Sequence, residues 1–205
     1  MFRAIGNQFR KPSGFLGRII SSLMIKGNNY AYEKTIIDLD IKQNDRLYEI
    51  GYGHGLGVFK ILSNYNCYVS GIDFSELMFK EASKRNSKYI ESKRSELTFG
   101  DFLTTELPSN LYDKIFCLNV IYFWDNLEVP FAKIRNTLKD GGIFYFFMAD
   151  RDDLNRLKFT KDDIFNKYSI EQVITSLNNA GFKNITYNSD KGYKKERGYY
   201  VKCFK

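Results

Sequence analysis

The chain has 205 residues, 43% of them hydrophobic and 27% charged, with a formal net charge of +7 and a pI near 9.1. That length carries one α/β domain with a full core and leaves too little for two. Cys67, Cys117 and Cys203 stand far apart in apolar runs, with no Cys-x-x-Cys or Cys/His grouping, which excludes a disulfide scaffold and a zinc site and fits free thiols in a reducing cytoplasm. The positive balance permits an anionic partner such as RNA or an acidic membrane surface, but the lysines are spread over the whole chain, so a solvated basic surface is the default reading.

Met1 to Lys11 has no apolar periodicity and reads as a loose arm. From Ser13 the spacing predicts a helix with Phe15, Ile19 and Leu23 on one row and Leu16, Ile20 and Met24 beside them, ending at Gly27. Serines and Arg18 interrupt it, and it falls short of the roughly 20 apolar residues that cross a bilayer. It is open to three roles: a lid over a substrate, a membrane-surface anchor, or a helix packed on the core edge. A lid-like cap is favoured. A second helix is expected from about Tyr30 to Leu39, so that residues 1–40 form an arm and helical cap in one structural unit with a domain of residues 41–205.

Leu47 to Ile50 then reads as a short strand that breaks into glycines, after which Val58, Ile61, Leu62 and Tyr65 recur at helical spacing. A strand-to-helix turn of alternating glycines lets a ligand approach the backbone closely, with helix amides behind it. A dinucleotide fingerprint fails, because its third glycine falls on Leu56 or Val58; a phosphate loop fails for want of Gly-Lys-Ser or Gly-Lys-Thr. What remains is Glu49-x-Gly51-x-Gly53-x-Gly55, with Asp73 at the end of the next strand, 22 residues after Gly51. An acid at that distance can accept both hydroxyls of a ribose. This pattern resembles motif I of the class I methyltransferases that use S-adenosyl-L-methionine.

The resemblance continues along the chain. The strand Cys67 to Ile72 leads into Asp73-Phe74-Ser75, and Ser75 opens a long helix to about Ser92. Leu97 to Phe102 looks like a third strand ending in Asp101 and Phe102, where the family places an acid for the adenine amine and a neighbouring side chain against the ring. Asp113 to Trp124 is similar to motif IV of small-molecule methyltransferases. The resemblance implies that the backbone at Asn119 and Val120 holds the cofactor ammonium and that Tyr122 and Trp124 shape the acceptor pocket, with Phe123 between them. In family members, residues just upstream of motif I often fold over the methionine end of the cofactor, which makes Tyr30 and Asn29 possible contacts. Asn119 is followed by Val120 and Ile121 rather than Pro-Pro, and Cys117 does not follow a proline, so methylation of nucleic-acid bases is disfavoured.

Pro130, Phe131, Ile134 and Leu138 give a helix closed by Gly141-Gly142, followed by a strand at Ile143 to Met148. The charged segment Asp150 to Lys167 is long enough to border a pocket. Ser169-x-x-Gln172 is a capping box, and Gly181 stops the helix it starts. Strands near Ile185 to Ser189 and Tyr199 to Phe204 flank a basic loop and suggest a hairpin. Strands alternating with helices imply an α/β fold, a doubly wound, seven-stranded and mostly parallel sheet of the Rossmann-like methyltransferase type.

The expectation is therefore a cytoplasmic S-adenosylmethionine-dependent methyltransferase acting on a small molecule, with nucleic acid an improbable partner and no membrane span. Methylation of RNA or protein, or a non-catalytic cofactor-binding role, are the alternatives. His54, the single histidine, lies inside the glycine turn. A role in filling the loop or touching the cofactor is favoured over one as a base.

Overall fold

The computed structural model describes residues 2–160, 164–191 and 197–205. Among them, seven strands form one sheet in the order β3-β2-β1-β4-β5-β7-β6: β1 (Arg46–Ile50), β2 (Tyr68–Asp73), β3 (Ser95–Phe99), β4 (Tyr112–Leu118), β5 (Leu138–Ala149), β6 (Lys183–Lys191) and β7 (Arg197–Phe204). The first five pair in parallel, and β7 runs antiparallel to both β5 and β6. This is the doubly wound sheet with a closing hairpin that the alternation of elements predicts. Residues 192–196 of the basic hairpin loop lie outside the described residues.

The central strands are buried on both faces, and alternate residues feed two cores. Ile115, Cys117, Phe144 and Phe146 pack with α6 (Glu128–Thr137) and α8 (Ile170–Asn179). Phe116, Leu118, Tyr145 and Phe147 pack on the opposite face with α2 (Gly14–Asp38) and α3 (Leu56–Asn64). Each side chain of this size removed from water contributes about 1.5–3 kcal/mol. Together they fix the plane from which the loops project.

Several boundaries differ from expectation. The stretch read as a loose arm is a helix, α1 (Phe2–Arg10). It is held by long-range packing that no local periodicity announces: Phe9 stacks on Phe159 with ring centroids 4.5 Å apart. The two expected N-terminal helices are one, α2, which runs through Gly27, Asn28 and Asn29. Gly in a helix interior costs about 1 kcal/mol, and burial of Ala31, Tyr32, Ile36 and Leu39 in the following turns outweighs it. Of the expected apolar stripe, Ile20 is buried while Phe15, Leu16 and Ile19 face solvent; the side chains of Leu23 and Met24 lie outside the described residues. The helix after Ser75 splits at Asn86 into α4 (Glu76–Arg85) and α5 (Ser87–Glu91). Strand β5 begins at Leu138, before the glycines, because Leu138 already pairs with Tyr112. The segment after β5 holds α7 (Arg151–Arg156) and a 3-10 turn at Lys158–Thr160. The Ser169–Gln172 capping box is present with both of its hydrogen bonds.

Candidate functional site

The strand order reverses between β1 and β4, and in open α/β sheets ligands bind beside the carboxyl ends of strands at such a point. Two turns meet there. In the first, Gly51, Gly53 and Gly55 have φ of 72°, 53° and 70°, a region that strains any residue with a Cβ. Gly51 is further fixed by contact, since a Cβ would lie 2.6 Å from Val120 Cγ2. At Gly53 a Cβ would meet nothing within 4 Å, because this part of the turn opens into a cavity. In the second turn Asn119 adopts φ 59°, and its amide donates to the Phe147 carbonyl at 3.0 Å. Its Nδ2 donates to Asn28 Oδ1 at 3.1 Å, and its Oδ1 accepts from the Tyr122 hydroxyl at 2.9 Å.

Between the turns lies a cavity of ≈ 310 Å³. Gly51, Gly53, His54 and Leu56 wall it from the first turn, and Asn119, Val120, Phe123 and Trp124 from the second. Asp73 and Phe74 enter at the end of β2, and Asp101 and Phe102 after β3. Asp73 Oδ2 accepts from the Gly53 amide and Oδ1 from the Ser75 amide, each at 2.9 Å. Burial pushes its carboxyl up to about 6, against the pull of these two amides. Asp101 Oδ1 accepts from the Leu103 amide at 2.9 Å, which makes a tight Asx turn of the loop. Lys133, from α6, donates to the carbonyls of Phe102, Leu103 and Thr105, and its ammonium stands 5.0 Å from the Phe102 ring centroid.

Glu49 lies behind the glycine turn, fully buried and outside the cavity wall. Its Oε1 accepts from the Tyr32 hydroxyl at 2.8 Å, while Oε2 has no hydrogen-bond partner. Burial pushes this carboxyl up to about 8, with the charge of Asp73 adding to the rise and the Tyr32 hydroxyl opposing it.

With Glu49, expected with the glycines of the first motif and found behind the turn, four expected placements are revised. Tyr30 is half exposed and donates to Asp190 Oδ2 at 2.9 Å, on the hairpin side of α2; Asn28 and Tyr32 line the cavity in its place. Helical periodicity carries that signal, because Tyr32, Ile36 and Leu39 share the buried face whereas Tyr30 shares the outer one with Ile37. Tyr122 is buried beneath the cavity and bonds Asn119 Oδ1 and the Ala149 amide. The 3-10 turn at Ile121–Phe123 rotates Tyr122 inward and presents Phe123 to the cavity, together with Asp125. Gly55 does not line the cavity; it is the residue from which α3 starts. The N-terminal segment supplies wall residues that local reading missed, namely Phe9, Arg10 and Pro12. The Ser75 hydroxyl donates to the Pro12 carbonyl at 2.6 Å and ties that segment to the exit of β2.

The family model for a methyltransferase domain matches residues 48–146, from β1 to β5, and spans both turns. The match makes residues 48–146 a methyltransferase domain, and the fold is that of the class I S-adenosylmethionine-dependent methyltransferases. This methyltransferase is 29% identical over 168 residues to YdaC, an uncharacterized methyltransferase of Bacillus subtilis, covering 82% of this chain and 87% of that one. It is 23% identical over 189 residues to sterol 24-C-methyltransferase ERG6 of Saccharomyces cerevisiae, covering 87% of this chain and 48% of that one. The chain thus spans about half the length of the sterol methyltransferases it matches. Phosphoethanolamine N-methyltransferase 2 of Haemonchus contortus, solved with S-adenosyl-L-methionine, shares the fold with a TM-score of 0.80 at 17% identity, covering all of this chain and 60% of that one.

Proposed function

We propose that this methyltransferase binds S-adenosylmethionine across the two turns and transfers its methyl group to a small molecule that is apolar or amphipathic near the reacting atom. The residues fit the cofactor on three observations. The cavity opens at Gly53, where a side chain would project into it. The buried Asp73 carboxylate uses one lone pair on each oxygen for a backbone amide and keeps the others for the ribose hydroxyls. Asp101 retains Oδ2 for the adenine amine, with Phe102 beside it for the ring.

When bound, the cofactor supplies an activated methyl on sulfur together with its own leaving group. The protein's work is to aim the acceptor and exclude water. Phe123 and Trp124 form an aromatic wall at the second turn, and Phe9 and Pro12 close the N-terminal side. These apolar groups carry the reading of the acceptor, and the similarity to sterol methyltransferases agrees with it. A volume of ≈ 310 Å³ is near the lower end of small-molecule sites. The three cysteines are buried and unpaired, which supports a reducing compartment such as the cytoplasm.

The test is a transfer assay with methyl-labelled cofactor against fractionated cell extract, with Asp73→Ala as control. Label entering a solvent-extractable small molecule with the parent protein and not the variant is the expected result. Label confined to RNA or protein would overturn the small-molecule reading.

A further inference from the structure

The first 28 residues contain Arg3, Arg10, Lys11, Arg18 and Lys26 and no acidic residue, in contrast to the mixed charge of the rest of the chain. Within this segment the first turns of α2 turn apolar side chains outward: Phe15 is 80% exposed, Leu16 47% and Ile19 45%. Helical geometry puts the three within about 100° of one another, with Arg18 on their flank and the buried Gly17 and Ile20 behind. Three adjacent apolar side chains held in water at helical spacing are an unpartnered face rather than a scatter of single residues.

We infer that this face docks the methyltransferase on an anionic lipid bilayer. Stable adsorption of a helix that lies on a membrane takes two signals, apolar groups that enter the headgroup boundary and basic groups that meet anionic lipid. Both are present in this segment. A second copy of the chain fits less well, because self-pairing would bring two all-basic segments together. RNA fits less well too, since Leu16 and Ile19 offer it neither a stacking ring nor a hydrogen bond. Arg18 also reaches Glu81 across α4 at 3.7 Å, but both side chains are substantially exposed and that pair is open to exchange with lipid phosphate. Phe9, Arg10 and Pro12 wall the cavity, and Pro12 precedes Phe15 by three residues. The docked face is therefore three residues along the chain from a wall of the cavity.

Flotation with phosphatidylglycerol and with phosphatidylcholine vesicles tests the docking without cofactor or acceptor, so its failure is separate from failure of the methyl-transfer reading. The protein should float with phosphatidylglycerol vesicles at least about tenfold better than with phosphatidylcholine, and release in high salt. Combined Phe15→Ser, Leu16→Ser and Ile19→Ser should reduce that binding about tenfold or more, with an unchanged thermal melt. Phe15→Ser alone, at the most exposed of the three, should give a smaller loss in the same direction. No flotation of the parent protein at low salt would overturn the inference, as would undiminished flotation of both variants. A solution dimer that the triple variant dissociates, without vesicle binding, would assign the face to self-association instead.

Discussion

The Tyr32 hydroxyl donates to Glu49 Oε1 at 2.8 Å and joins the helix that precedes the sheet to the carboxyl that opens the glycine turn. Both groups are buried, so the bond is made where an unpartnered acceptor is expensive. Tyr32→Phe should destabilise the fold by about 1–3 kcal/mol in urea unfolding at neutral pH. The Glu49 carboxyl, pushed up to about 8, lies above its unfolded value of about 4.3, so the folded state holds the proton more tightly. Stability should fall as pH rises through that interval and level off above about 8. Glu49→Gln should remove this component, visible as a smaller loss between neutral and mildly alkaline pH. Equal loss in the two proteins would show that Glu49 does not titrate there.

Asp73 gives a pH dependence of a different quantity. Its ionised form accepts hydroxyl donors best, and burial places its titration at about 6. Cofactor affinity measured by calorimetry should be flat above that pH and weaken on acidification below it, by at most about tenfold per unit for one proton. Asp73→Ala should remove the dependence and weaken binding by roughly 1.5–3 kcal/mol, the range for a charge-assisted hydrogen bond. Asp73→Ala binding as tightly as the parent would place the ribose elsewhere.

What the sequence revealed was local. The glycine turn, Asp73, the Ser169 capping box and the stop at Gly181 are each set by backbone conformation and a few neighbouring residues, and each stands where its pattern predicts. The wall residues Phe9, Arg10 and Pro12 were not legible, because their roles depend on contacts such as the bond from Ser75 to Pro12, 63 residues apart. Tyr122 was misplaced for a subtler reason: in a three-residue turn, one step of rotation decides which of two adjacent aromatic residues faces the cavity.

Lys133 reaches the cavity only through the backbone that it holds. Its ammonium gathers three carbonyls of the loop following Asp101, so Lys133→Met should leave those acceptors without their donor and let Phe102 move. The cofactor Kd should rise by about three- to tenfold, a loss of about 0.7–1.4 kcal/mol, with less change for a ligand that lacks adenine. An identical rise for both ligands would point to general destabilisation rather than to positioning of the loop.

The N-terminal segment should respond to ligand. Phe9, Arg10, Pro12, Asn28 and Tyr32 all face the cavity, although they come from the two helices preceding the sheet and the link between them. Hydrogen exchange over residues 6–32 should slow on addition of saturating S-adenosylhomocysteine, more than in β6, which contributes no wall residue. Exchange unaffected by the ligand would make the segment a packed edge. Removing residues 1–12 should then weaken stability rather than binding.

Tyr122 and His54 make opposite predictions about where binding and turnover separate. The Tyr122 hydroxyl holds Asn119 Oδ1 at 2.9 Å, and Asn119 sits at φ 59° in the second turn. Tyr122→Phe should therefore loosen that turn and weaken cofactor binding, whereas a direct role in acceptor contact would change acceptor use alone. Phe123→Ala, which cuts back a ring of the cavity wall, should raise the acceptor KM with smaller effect on the cofactor. His54 lines the cavity from the first turn, on a different loop from the aromatic wall, while its carbonyl accepts from Arg85 Nε at 3.0 Å. A base has to reach the acceptor's proton within hydrogen-bond distance, and in the proposed binding mode the first turn holds the cofactor. His54→Ala should change cofactor affinity modestly and keep kcat within about tenfold, a barrier change of about 1.4 kcal/mol. A much larger fall in kcat with cofactor binding intact would instead make His54 the group that takes the proton.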